Sequence, residues 1–234
     1  RQILEFIDTY FDLILVHGDP NSVRLSETFP DAETIADKTR YTGYVCASPP
    51  PSQSTSEIDR GRITVSTCGG ATCGSLMTAA VEAARLDRRP WRFLVSPNCP
   101  PEIRGKLFDS PDIMAEKVRP DFCTLLYHAA ASISQADYNT AIDILTNGVP
   151  ALMMPHQQPG QNEQWYRAQS LGERGIVRAL REDRLTPQVL LQTLDRLLRQ
   201  KLDRPADVDL TGASTTAHII ASVAATGNSR DTKI

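Results

Sequence analysis

Ser134-Gln135-Ala136-Asp137-Tyr138-Asn139-Thr140-Ala141-Ile142-Asp143 sets a tight polar loop between a short apolar strand and a helix. The first turn of a helix carries backbone N–H groups with no partner inside the helix, and such groups collect anions. Asn139 and Thr140 stand where those groups would cradle a diphosphate. Plain N-capping by Asn139 or Thr140 is the alternative, and both can hold together. Asp143, three residues after Thr140, fits a capping box. It also fits a carboxylate accepting hydrogen bonds from ribose hydroxyls, as acids do in dinucleotide sites. Spacing alone favours the cap.

A second polar loop follows the apolar run Ala151-Leu152-Met153-Met154 and leads through Gly160-Gln161-Asn162 into Glu163-Gln164 at the next helix start. Adjacent acceptor and donor side chains suit sugar hydroxyls; a first turn that prefers acids is the alternative. His156 is the histidine nearest this loop, whereas His17, His128 and His218 read as structural. Gly69-Gly70 lets backbone approach a phosphate closely and equally serves a tight strand-to-helix turn. Phosphate groups beside hydroxyl groups point to a nucleotide sugar. The chain has no Walker loop, no H-E-x-x-H and no G-x-S-x-G. Spacing nominates no catalytic base and no metal site.

The elements that position these residues are read from apolar period. Asp12–His17, Arg62–Ser66, Trp91–Val95, Ile113–Val118, Ala131–Ser134, Ala151–Met154 and Ile176–Ala179 read as strands. Helices are expected at 2–7, 76–86, 122–130, 140–147, 163–174, 187–202 and 213–224. Gly148 is placed as the helix-ending glycine and Thr186-Pro187 as an N-cap with Pro in the first turn. Residues 21–45 are mixed, with weak helix signals around 31–38. Strands alternating with helices predict an α/β fold, a Rossmann-like parallel sheet with helices on both faces. Ligands of such sheets bind outside the carboxyl ends of the strands. The glycine loop, the Asp137 loop and the loop before Glu163 all follow strands, so they converge on one rim.

Net charge is -3, from 25 basic and 28 acidic side chains, which excludes a nucleic-acid footprint or a polybasic membrane patch. Five cysteines make no disulfide framework and no paired zinc motif, so reduced thiols in a cytoplasmic protein are expected. The sequence opens on Arg1 in mid-helix, so an amino-terminal part is expected to be missing. The expected organisation is the end of a preceding domain at 1–46, a Pro/Ser-rich linker at 47–60, a donor-binding domain at 61–224 and a disordered tail at 225–234.

Together Ser134-Gln135-Ala136-x-Tyr138-Asn139-Thr140, Asp143, Gly148-Val149-Pro150-Ala151, Pro155 and Glu163-Gln164-x-x-Arg167-Ala168 resemble the carboxyl-terminal donor domain of the MurG-like family 28 glycosyltransferases, which have the GT-B fold. The resemblance covers about residues 60–222, and His17–Pro20 with Tyr41–Val45 look like the end of the acceptor domain. It implies a hexosyltransferase moving a sugar, such as N-acetylglucosamine, from UDP to a hydroxyl acceptor without metal or other cofactor. By position it places Asp143 on the ribose, Glu163 and Gln164 on the donor sugar, and Ser134 to Thr140 around the diphosphate. It also places Gly69 and Gly70 facing the cleft, and Val118 and Arg119 near the base. The family usually has Gly where this chain has Asp137. A carboxylate there would repel a diphosphate, so Asp137 turns away, the donor differs, or affinity is weak. A UDP-sugar epimerase of the same architecture and a noncatalytic binding module are the alternatives. With the base expected in the missing domain, little or no turnover is expected of this chain alone.

Overall fold

The computed structural model describes residues 2–46, 60–67, 74–156, 162–200 and 208–228. Packing divides the chain into two compact units, Arg1–Ala47 with Ala206–Ile234, and Ser48–Pro205.

The first unit holds α1 (Gln2–Tyr10), β1 (Ile14–Val16) and β2 (Thr39–Tyr41). The two strands pair in parallel, Ile14 beside Thr39 and Val16 beside Tyr41. Short 3₁₀ turns at Leu25–Glu27 and Ala32–Ile35 lie between them. The last helix of the chain, Gly212–Asn228, also belongs to this unit. Tyr44 N–H donates to Asp209 O at 2.8 Å, and Gly212 N–H donates to Tyr44 O at 3.0 Å. The crossing is close enough to need two glycines. A Cβ on Gly212 would stand 2.6 Å from Gly43 O, and Gly43 itself has φ +80°. The sequence reading grouped 213–224 with the donor-binding domain; by contact this helix groups with the amino-terminal segment instead. It also continues to Asn228 where a disordered tail was expected from 225.

The second unit is built on a six-stranded parallel sheet of β3 (Ile63–Ser66), β4 (Trp91–Val95), β5 (Ala115–Lys117), β6 (Ala131–Ser134), β7 (Ala151–Met153) and β8 (Arg178–Ala179). Their spatial order is β5-β4-β3-β6-β7-β8. The strands are connected by α2 (Gly74–Leu86), α3 (Pro101–Phe108), α4 (Phe122–His128), α5 (Tyr138–Asn147) and α6 (Glu163–Glu173), and α7 (Pro187–Arg199) follows the last of them. Side chains alternate along each strand. Ile63, Val65, Phe93, Ile133 and Leu152 therefore share one face, where they pack with Leu76, Met77, Leu107, Leu190, Leu194 and Leu197 of α2, α3 and α7. Thr64, Ser66, Ser132 and Ser134 take the alternate positions, paired as Thr64 beside Ser132 and Ser66 beside Ser134. The final helix of this unit is capped as expected, with Thr186 Oγ1 accepting from Val189 N–H at 3.2 Å, and ends at Arg199 rather than 202. Among the described residues no helix is long and apolar enough to cross a membrane.

Candidate functional site

The strand order reverses direction between β3 and β6, which follow one another in space but not in sequence. Such a reversal is the place where sheets of this kind bind ligands, outside the carboxyl ends of the strands. Gly69 and Gly70 belong to the loop after β3 and lie outside the described residues. The loop after β6 is short. Gln135 and Ala136 are buried, Asp137 is half-buried, and α5 begins at Tyr138.

The cap of α5 is not the one expected from spacing. Asp137 is the N-cap, with extended backbone, and its carboxylate accepts the Thr140 N–H at 3.3 Å. The helix therefore starts two residues before the expected Thr140, which becomes a first-turn residue with its N–H taken. Asn139 is exposed beside it. The other Asp137 oxygen is buried without a hydrogen bond. Of the alternatives for Asp137, turning away is thus overturned: its carboxylate sits on the helix end.

Asp143 consequently lies in the second turn of α5 and cannot form a capping box. Its Oδ1 accepts the Cys123 thiol of α4 at 3.0 Å. Burial pushes its carboxyl above the usual aspartate range, the Cys123 hydrogen bond opposes the shift, and the Asp137 charge adds to it. Ser134 is fully buried at the end of β6, its hydroxyl without a hydrogen bond.

The start of α6 approaches this loop from the neighbouring strand. Glu163, its first residue, pairs with Arg167 one turn on. Arg167 is 6% exposed, and its Nη1 donates to Ala136 O at 2.7 Å. Gln164 Oε1 accepts the His156 N–H at 3.0 Å, fixing the chain just after β7. The His156 ring lies 3.7 Å from the Glu182 carboxylate, and both ring nitrogens are buried without a hydrogen bond. Ser75 Oγ reaches the same Glu182 at 2.5 Å, so α2, the β7 loop and the segment after β8 meet there.

Arg119 stands apart. It follows edge strand β5, with β4 and β3 between that strand and β6. Asp121 takes it in two hydrogen bonds of 2.8 and 2.7 Å, and Glu116 adds a third at 3.3 Å. These carboxylates raise its pKa well above the usual arginine value. The structure thus gathers Asn139, Thr140, Asp137, Glu163 and Arg167 around one loop, sets His156 and Gln164 beside it, and leaves Arg119 engaged elsewhere. Arg167 is the member that spacing did not single out. The sequence marks it by its place four residues after Glu163 along a helix, in the stretch Glu163-Gln164-x-x-Arg167-Ala168.

Residues 107–222 match the family model of the glycosyltransferase family 28 C-terminal domain. This part of the chain is a MurG-like family 28 domain. A 76-residue stretch is 30% identical to the UDP-N-acetylglucosamine–N-acetylmuramyl-(pentapeptide) pyrophosphoryl-undecaprenol N-acetylglucosamine transferase of Wolinella succinogenes, covering 32% of this chain and 23% of that protein. The protein of the same name from Desulforamulus reducens is 28% identical over 69 residues, 30% of this chain and 18% of its own length. Among solved structures, the calicheamicin glycosyltransferase CalG4 superposes with a TM-score of 0.65 at 21% identity, over 95% of this chain and 54% of that one. MurG of Acinetobacter baumannii superposes with a TM-score of 0.64 at 14% identity, over 94% of this chain and 63% of that one. These likenesses show the fold: the second unit has the doubly wound sheet of GT-B glycosyltransferases. The matched stretches span less than a quarter of either curated relative.

Proposed function

We propose that the chain carries the donor-binding half of a glycosyltransferase that moves a hexose, N-acetylglucosamine in the first instance, from a UDP-sugar to a hydroxyl acceptor. The observation that carries this reading is the reversal of strand order at β3 and β6, with α5 opening at that point inside a family 28 domain. Both curated relatives are named as UDP-N-acetylglucosamine-dependent transferases.

In this reading the first turn of α5 faces the diphosphate. Its N–H groups and helix dipole stabilise the charge that builds on the departing UDP, without need of a metal. Asp143 accepts a ribose hydroxyl. Glu163 meets the sugar as an acceptor. Gln164, whose Oε1 is committed to His156 N–H, meets it as a donor through Nε2. The anomeric carbon is displaced directly, with the base supplied by another part of the whole protein.

Asp137 on the end of α5 favours one rival, a binding module that has lost its diphosphate cradle. Calorimetric titration of the chain with UDP separates the two. The donor reading expects binding that Asp143→Ala weakens by about tenfold or more, the scale of a hydrogen bond to a charged group. No heat from wild type or variant overturns it.

A further inference from the structure

We propose that Arg167 is the positioning residue of this site, holding the diphosphate loop and the sugar-facing carboxylate with a single guanidinium. The inference rests on reading α5 and α6 as the donor site. A cation that is 6% exposed persists only where its surroundings are paired and hydrogen-bonded. The partners of Arg167 are spread over the rim rather than the core. Nη1 donates to Ala136 O, the carbonyl immediately before the α5 cap, across 31 residues of sequence. Nη2 pairs with Glu163 at the start of α6. The ring of Tyr138, first residue of α5, lies 5.7 Å from its Cζ.

Each contact acts on a different part of the ligand. The Ala136 bond sets where the loop after β6 turns, and so where the first N–H groups of α5 point. The Glu163 pair aims a carboxylate whose side chain is 64% exposed and would otherwise sample many rotamers. A planar fork can reach two acceptors in fixed directions, whereas lysine offers one compact charge. Arg167 therefore couples the diphosphate end of the site to its sugar end.

The test titrates the 234-residue chain with UDP and with UDP-N-acetylglucosamine, in wild type, Arg167→Lys, Glu163→Gln and the double variant, with thermal unfolding followed alongside. Arg167→Lys is expected to weaken UDP about tenfold and to lower the affinity ratio of UDP-N-acetylglucosamine to UDP by a further factor of about ten. Glu163→Gln is expected to lower that ratio by the same factor. The double variant should lower it no further, because the carboxylate works through the guanidinium. A merely structural arginine would change stability and leave the ratio alone. A wild-type ratio in Arg167→Lys, or ratio losses that add in the double variant, overturns the inference. Should Arg167→Lys not fold, a wild-type ratio in Glu163→Gln overturns it by itself. Wild type binding neither ligand is a separate result; it ends the donor reading and the inference with it.

Discussion

Asp137→Asn separates the two consequences of the α5 cap. The amide keeps an oxygen for the Thr140 N–H and loses the charge. Asn and Asp cap about equally well, so the stability change should stay within about 0.3–1 kcal/mol, the value of a carboxylate at a helix N-terminus. Binding responds differently. The carboxylate oxygen is 3.3 Å from Thr140 N. A phosphate on a neighbouring first-turn N–H would stand roughly 5 Å from it, about one helical pitch. Two unit charges at roughly 5 Å repel by about 0.8 kcal/mol in water and about 3 kcal/mol at an effective dielectric of about 20. Asp137 is half-buried, so an intermediate value of about 1.5 kcal/mol applies, roughly a tenfold gain in UDP affinity. Calorimetry at low and high salt reads it. The gain should shrink as the screening length falls from about 10 Å at about 0.1 M salt to about 3 Å at about 1 M. Unchanged or weaker UDP binding at low salt, in a variant that melts like wild type, refutes a phosphate on that helix end.

Two further predictions concern stability. A Cβ at position 212 would meet Gly43 O and Tyr44 C at 2.6 Å, and retreat would break the Tyr44–Asp209 and Gly212–Tyr44 backbone bonds. Gly212→Ala should therefore cost about 1–3 kcal/mol, visible as a lower thermal midpoint; an unmoved midpoint means the crossing is looser than described. Burial, joined by the hydrogen bond to Asp143, pushes the Cys123 thiol from 9.0 up to about 12. The folded thiol keeps its proton where the unfolded chain releases it, so this contribution is full below pH 9 and is lost as pH rises toward 12. Denaturant titrations should show Cys123→Ala flattening that alkaline decline; parallel curves for variant and wild type exclude the linkage. The Asp143 and Arg167 titrations given above complete the set.

Much of the second unit was legible because its strands are short apolar runs that a buried parallel sheet requires. Ile63–Ser66, Trp91–Val95 and Ala131–Ser134 fall where the pattern puts them. Two elements left no such mark. Thr39-Arg40-Tyr41 forms β2 with no apolar run, its pairing set by β1 rather than by its own residues. In α3 only Leu107 is buried, so there is no stripe to read. The start of α5 is ambiguous in the sequence because Asp137, Asn139 and Thr140 all have capping side chains. In the fold Asp137 takes the role, its carboxylate accepting the Thr140 N–H, and the helix it opens buries Ala141, Ile142, Ile144 and Leu145. The candidate site shows the same division. Residue types at 137–143 and 163–164 announced a polar rim, while the bond from Arg167 to Ala136 depends on how α6 docks and has no signature in spacing.

The return of residues 206–228 to the first unit makes the second an insertion, entered near position 47 and left near 206. The backbone passes between the units twice, so a single nick in either passage leaves them tethered by the other. A stop codon after 205 would carry away Asp209 and Gly212, the Tyr44 partners, while sparing all six strands of the sheet. Anyone excising the sheet for separate expression should cut at both crossings.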